Sequence, residues 1–519
     1  MTPIADAASP PECMPRQIAY IIGNEGCERF SFYGMRNILT PFLITSLLLY
    51  LPEAERAGAA KDVFHTFVIG VYFFPLLGGW LADRWFGKYR TVLWLSLVYC
   101  LGHLCLAMFE HSVAGFYTGL ALIALGAGGI KPCVAAFVGD QFDEGNRRLA
   151  KVVFDAFYWI INVGSFLASV SMPFFLRHYG AAVAFGIPGA LMFVATVVFW
   201  CGRRHYVMAP PAGNDPHGFM KVVRTALLTR REGQGRPGLW VAAGSVMLAL
   251  AALATTPVLG IVAALCLGLV AILVGGGIGT RMQLERARGA HPDEAIDGVA
   301  VVLRVLVVFA LVTPFWSLFD QKASTWVLQA GAMRAPDWLH PAQMQAINPL
   351  LVLLLIPFNN LVLFPLLRKA GIEPTALRRM TAGIVFSALA WVVVGVLQMA
   401  LDGGDALSIA WQVLPYVLLT MGEVLVSATG LEFAYSQAPP SMKGTLMSFW
   451  TLSVTVGNLW VLLANAGVRN EAVLAGIAGT GMGATAFQMF FFAAFAAVAA
   501  LAFGLYARGY RPVDYYRAA

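Results

Sequence analysis

Residues 16–50 read RQIAYIIGNEGCERFSFYGMRNILTPFLITSLLLY, and the reading of this stretch decides the fold. It is long and apolar enough to cross a bilayer, yet Glu25, Glu28, Arg29 and Arg36 lie in its interior. At helical pitch Glu25 and Arg29 are four residues apart and Arg29 and Arg36 seven, so with Glu28 and Tyr33 they share one stripe. A charge at bilayer depth costs about 2.5–3.5 kcal/mol on insertion scales unless it is paired or meets water. Four such charges on one stripe predict a helix that lines a polar cavity. The plainer alternative is an ion-paired stripe that locks helices together.

The rest of the chain fits that setting. Of 519 residues, 59% are apolar and 12% charged, a balance that belongs in a membrane. The net charge of +7 is scattered between apolar segments and forms no basic domain with interleaved aromatics, so nucleic acid is not an expected partner. The seven Cys show no CxxC or Cys/His spacing, which indicates neither a disulfide framework nor zinc. No nucleophile–base pattern suggests an enzyme. The first 15 residues are Pro-rich, lack a basic leader, and read as a short tail.

About fourteen segments reach the roughly 20 residues a span requires. Six lie near 17–50, 60–86, 90–109, 112–139, 150–177 and 181–202. Two follow a polar break, near 239–255 and 258–280, and six more lie near 298–329, 342–367, 377–400, 408–437, 442–467 and 482–507. Within the first break, 218–231 predicts a basic amphipathic helix on the membrane surface. The two central spans contain no ionisable residue and read as lipid-facing. Twenty-five Lys and Arg fall on the side of the termini and five on the other, which predicts cytoplasmic termini. The expected fold is all-α and membrane-integral: a tail (1–16), a six-helix bundle (17–202), a linker with two extra helices (203–297), a second six-helix bundle (298–507) and a tail (508–519). Two halves joined by a linker point to a transporter with its site at the midplane between them.

Few other deep residues ionise: His65, Asp83, Lys131, Asp155, Arg304, Asp320, Lys322, Glu423 and Glu432. Pairs among them that a proton can break are a physical basis for alternating access. Glu423 and Glu432 are nine residues apart, half a turn out of phase, so on a straight helix only one faces the cavity. Glu423, near mid-span, is assigned to the site, and Glu432 to an inner gate or an inter-helix pair; a break at Gly430 would upset this. Asp83 and Arg84, at a tight turn, read as a structural cap and loop brace. Arg304 joins Asp83, Arg84 and Glu432 as a gating or structural residue. His65, taken alone, reads as a packed, hydrogen-bonded residue. Tyr33, Tyr72, Tyr158, Trp316 and Trp450 are candidates for a pocket wall.

Several strings resemble one family. EGCERF (25–30) resembles the ExxERF signature of proton-coupled oligopeptide transporters of the major facilitator superfamily. GGIKPCVAAFVGDQF (128–142), FYWIINVGSF (157–166), FWSLFDQKASTW (315–326) and GEVLVSATGLEFAYSQAP (422–439) resemble that family's patterns, in order. GGWLADRWFGKYR (78–90) resembles the superfamily's loop motif between spans 2 and 3. The two extra central spans resemble bacterial members, whereas HTFVIGVYFFPLLGG (65–79) resembles the animal ones.

The resemblance implies two bundles around a central cavity and uptake of di- and tripeptides with protons. It implies Arg36 and Lys131 for the peptide carboxylate and Glu423, Asn162 and Asn348 for its amino terminus. It implies Tyr33, Tyr72, Trp316 and Trp450 for side-chain pockets, and Asp320 paired with Arg36 or a neighbour as an outer gate. Glu25, Glu28 and Arg29 would couple the proton to the peptide, and the resemblance raises His65 to a proton-handling residue. Four positions depart from the pattern: Phe32 replaces a tyrosine, Asp320 a glutamate, and Lys322-Ala323 a Gln-Gly pair. The expectation is a symporter with the proton as coupling ion and no cofactor, functional as a monomer in an inner (plasma) membrane. The alternatives are a symporter of another solute, such as nitrate or a drug, and a non-transporting peptide receptor.

Overall fold

The computed structural model describes residues 14–142, 147–211, 213, 215–231, 233–437 and 442–512. Most of the expected tail 1–16, and 513–519 of the other, lie outside the described residues. A bilayer offers the backbone no hydrogen bonds, so apolar runs must satisfy their own, and here they do so as helices.

Helix α1 (Gln17–Phe42) ends in a wider π-helical turn, Leu43–Leu47. The cause lies at Pro41, which lacks an N–H and whose ring repels the carbonyl four residues back, that of Asn37. Helix α2 (Glu53–Phe73) starts seven residues before the expected edge, because Glu53 and Glu55 favour an N-terminal turn after Pro52. It continues through Pro75–Leu81 and a π-helical turn to Gly87, whose φ of 73° reverses the chain into α3 (Gly87–Met108). Helix α4 (Val113–Gly139) is capped by the Ser112 side chain. The helical run Arg147–Cys201 bends sharply at Gly180, φ 82°, which divides it into α5 (147–179) and α6 (181–201).

A short helix, α7 (Phe219–Leu228), precedes the central pair α8 (Pro237–Ala252) and α9 (Ile261–Gln283). The second half comprises α10 (Asp293–Asp320), α11 (Ile347–Phe358), α12 (Ala376–Asp402), α13 (Val413–Glu423), α14 (Lys443–Val468) and α15 (Ala484–Gly509). Among the described residues, eleven helical runs are long and apolar enough to cross a membrane. Two of these hold two passes each, reversing at Gly87 and Gly180, and α1 is too charged to count among them. The chain thus makes fourteen passes.

Buried apolar side chains sort into two large cores. One is built almost wholly from α1–α6, the other from α10–α15 together with Val222 and Ala226 of α7. A third, small cluster joins Ile69 of α2, Cys266 of α9, and Leu459 and Leu462 of α14, so the central pair sits against the seam between bundles. Helices α8 and α9 approach closely: a Cβ on Gly238 would lie 2.2 Å from the Gly279 carbonyl oxygen. The result is the major facilitator arrangement of two six-helix bundles plus two central helices.

Candidate functional site

The charges of α1 divide by height. Arg29 pairs with Glu25 at 3.1 Å and with Glu28, all three buried on one helix. Two turns on, Arg36 turns away from its own bundle: its Nη2 meets Asp320 Oδ1 of α10 at 2.6 Å. The other oxygen, Asp320 Oδ2, accepts from Asn458 Nδ2 of α14 at 2.8 Å. Asn458 Oδ1 then lies 2.6 Å from His65 Nδ1 on α2. An amide oxygen only accepts, so His65 Nδ1 carries the hydrogen and donates. His65 Nε2 is left to accept from Ser324 Oγ at 2.9 Å. Two bundles are thus stitched by a continuous chain, Arg36–Asp320–Asn458–His65–Ser324, every member of it buried.

Other bonds reinforce this seam. Gln345 Nε2 donates to the Asn37 carbonyl at 3.1 Å, the group that Pro41 released from the α1 ladder. Thr40 donates to the Ala323 carbonyl, and Asp62 takes bonds from Asn465 and Arg469. All hydrogen bonds and ion pairs between described residues of the two bundles lie toward one face, that at which α1 ends and α2 begins. The basic face, which carries Arg84, Lys88, Arg90, Arg203 and Arg204, has none of them.

Between the bundles, under the seam, lies a cavity of about 220 Å³. Tyr33, Arg36, Tyr72, Asn162, Trp316, Asn348, Glu423 and Trp450 line it, so eight of the nine expected substrate residues meet there. The ninth, Lys131, stands behind: its Nζ lies 4.0 Å from the ring centre of Tyr72 and 5.3 Å from that of Phe32, outside the cavity lining. Tyr158, one turn from the lining residue Asn162 on α5 toward the basic face, is 39% exposed.

The expected straight helix around Glu423 is corrected. A π-helical turn, Val424–Ala428, separates α13 from the helix Thr429–Gln437, so the break falls before Gly430. Glu423 still lines the cavity, and Glu432 pairs with Arg379 of α12 at 3.6 Å, one of the two arrangements considered for it. Gly430 serves another purpose: a Cβ there would lie 2.1 Å from the Trp450 indole. Trp316 Nε1 donates to Ser453 and its ring meets Trp450 edge-on at 5.8 Å.

Asp83 and Arg84 are also corrected. Both side chains are exposed and make no ion pair among the described residues; the brace at that turn is Lys88 on Asp140, 2.7 Å, with the Asp83 backbone accepting from Gly213. Arg304 contributes its backbone oxygen to Tyr506 at 3.3 Å. His65 does not line the cavity but holds the seam above it.

The reading of the sequence missed several site residues. Lys322 was named only as a deep ionisable residue and as a departure from the family pattern. In the structure α10 gives way to a 3₁₀ turn at Gln321–Ala323, and Lys322 swings into the cavity. Its Nζ donates to Asn348 Oδ1 at 2.7 Å, while Asn348 Nδ2 donates to Glu423 Oε2 at 2.6 Å. A cation therefore stands at the acidic end, where the sequence predicted only Glu423 and asparagines. Asn458, Ser324, Asn37 and Gln345 were not singled out either; the only signal for them was a polar residue at depth in an apolar span. Among the described residues, no cluster of three or more His, Cys, Asp or Glu could hold a metal ion.

Comparison with known proteins adds three findings. The family described as PTR2, the POT family, matches residues 89–470. Solute carrier family 15 member 2 of Rattus norvegicus is 34% identical over 417 residues, which cover 76% of this chain and 51% of that protein. Peptide transporter family 1 of Drosophila melanogaster is 34% identical over 415 residues, 76% of this chain and 49% of that protein. The chain thus spans about half the length of the curated relatives it matches. Among solved structures, that of an auto inhibited POT family peptide transporter shares 67% identity with a TM-score of 0.95, over 97% of this chain and 99% of that one. That of the POT family transporter PepTSo shares 66% with a TM-score of 0.94, over 96% and 98%.

Proposed function

The chain belongs to the POT family, and from that premise we propose that it carries di- and tripeptides into the cytoplasm together with protons, by alternating access. The observation that carries this reading is a cavity with cationic and anionic groups, between two bundles that are tied together, among the described residues, on one face. A short peptide brings one carboxylate and one ammonium. Arg36, with Lys131 behind Tyr72, attracts the carboxylate. Glu423, with Asn162 and Asn348, takes the ammonium, which displaces Lys322 from the Asn348–Glu423 pair. Tyr33, Tyr72, Trp316 and Trp450 form loose walls, so polarity is fixed at the peptide's ends and side chains vary freely.

Proton coupling runs through Glu25, Glu28 and Arg29 in the first bundle, and through the seam. A proton arriving on His65 Nε2 turns its Ser324 bond around, and one on Asp320 discharges the partner of Arg36; either biases the seam toward opening. We assign the basic face and both termini to the cytoplasm on the 25:5 distribution of Lys and Arg. The two bundles span 17–202 and 298–507, with 203–297 between them, and a single chain is the working unit. The central pair supports a bacterial-type member in an inner (plasma) membrane.

Uptake of a labelled dipeptide into liposomes tests the proposal. Uptake should follow an imposed pH gradient, collapse with an uncoupler and be competed by di- and tripeptides but not by a tetrapeptide. Gradient-independent uptake overturns the coupling; failure of di-alanine to compete overturns the substrate in favour of another solute. Glu28→Gln should abolish driven uptake and leave counterflow partly intact.

A further inference from the structure

On the outer wall of the second bundle, away from the central cavity, α12 and α15 with the end of the α13 segment leave a groove of about 1,780 Å³. Its trough is apolar and shallow because alanines line one side, with Ala494 and Ala497 of α15 both exposed. Its lips face the bilayer: Val385 and Leu389 of α12 are 42% and 48% exposed, Leu501 and Leu505 of α15 70% and 67%. From Phe490 to Arg508 the groove runs eighteen residues along α15, about 27 Å at 1.5 Å per residue. That is most of the ~30 Å hydrocarbon core, long enough for an extended acyl chain with its head at one end.

The end of the groove at the basic face is charged. Arg378 and Arg508 stand there, both exposed, and neither takes part in an ion pair among the described residues. Glu373, the one carboxylate among the described residues that line that end, is already paired with Arg368 at 3.5 Å. A trough long enough for an acyl chain, open to lipid and ending in two arginines that have no ion pair among the described residues, fits an amphiphile with an anionic head and an apolar tail.

We propose that the groove is a binding site for an anionic glycerophospholipid, with an acyl chain along the Ala494–Ala497 trough and the phosphate between Arg378 and Arg508. A zwitterionic lipid brings its own cation to the arginines and is disfavoured. The site is separate from the cavity and does not depend on what the cavity carries.

Native mass spectrometry of the full chain, released from micelles containing equimolar phosphatidylglycerol and phosphatidylethanolamine, tests this. One phosphatidylglycerol should remain bound in preference. Each of Arg378→Gln and Arg508→Gln should lower its retention about five-fold, the effect of one basic residue near an anionic head. Ala497→Phe fills the trough and should lower retention with both arginines in place. Excess inorganic phosphate should leave the lipid adduct intact. Equal retention of the two lipids, or retention unchanged in the variants, overturns the site; displacement by phosphate overturns the lipid as its occupant.

Discussion

Two groups of charges begin on the same helix and end in different kinds of structure. Glu25, Glu28 and Arg29 find one another on α1, while Arg36 finds Asp320 on the opposite bundle. The first group moves as a rigid unit with its helix, so it keeps its partners whichever way the bundles tilt. The second group cannot: separating the bundles breaks Arg36 from Asp320 and Asn458 from His65 at once. The comparison teaches that a buried charge can be stabilised locally, by partners on its own helix, or across a seam. Only the second kind must break its bonds for the bundles to separate; the first keeps its pairs and can take up a proton in either state.

The sharpest way to break this distinction is at Arg29. Arg29→Met leaves two carboxylates buried side by side without a cation, and removal of one partner from a buried pair costs about 3–5 kcal/mol. Thermal unfolding in detergent should show a large loss. The triple change Glu25→Gln, Glu28→Gln, Arg29→Met should recover most of it, since charge and partner leave together. A loss in the triple variant as great as in the single one would mean the group is not a self-contained structural unit.

Next in size is Asp320→Asn. Arg36 lines the cavity and keeps access to water, so folding should survive while the seam weakens by about 2–5 kcal/mol. Spin labels introduced at Glu55 and Glu471, which flank the Asp62–Arg469 contact, should report a separated population raised at least ten-fold. An unchanged distance distribution would remove Asp320 from the switch. His65→Ala deletes two neutral bonds of the same seam, each worth about 0.6 kcal/mol within a membrane. The same labels should therefore register a shift of several-fold, smaller than that from Asp320→Asn.

What the sequence revealed follows the same division. The α1 stripe was readable because its partners are four or fewer residues apart, within the reach of helical periodicity. The number of passes was readable because a bilayer forces apolar runs into helices. The seam was only half visible. Arg36, Asp320 and His65 stand out as charges at depth, but Asn458 and Ser324, which connect them, do not stand out in spans rich in small polar residues. Lys322 was not placed in the cavity for a local reason: on a regular α10 it falls on a different face from Asp320, whereas the helix gives way to a 3₁₀ turn at Gln321–Ala323 and Lys322 lines the cavity. The π-helical turn after Glu423 escaped notice likewise, since nothing in VLVSA marks a widened turn.

The smallest expected effect supplies the control. Arg379 and Glu432 also join two helices, α12 and the segment after α13, but within one bundle and at the surface, with Glu432 64% exposed and the contact at 3.6 Å. Water screens such a pair, and its worth is about 0–1 kcal/mol. Arg379→Gln should therefore change thermal stability by no more than a degree or two and leave the label distances across the seam unchanged. If it moved those distances as far as His65→Ala does, the seam would not be the only element that sets the equilibrium. The basic face would then have a latch of its own, and the contrast between local and cross-bundle charges would no longer explain which pairs switch.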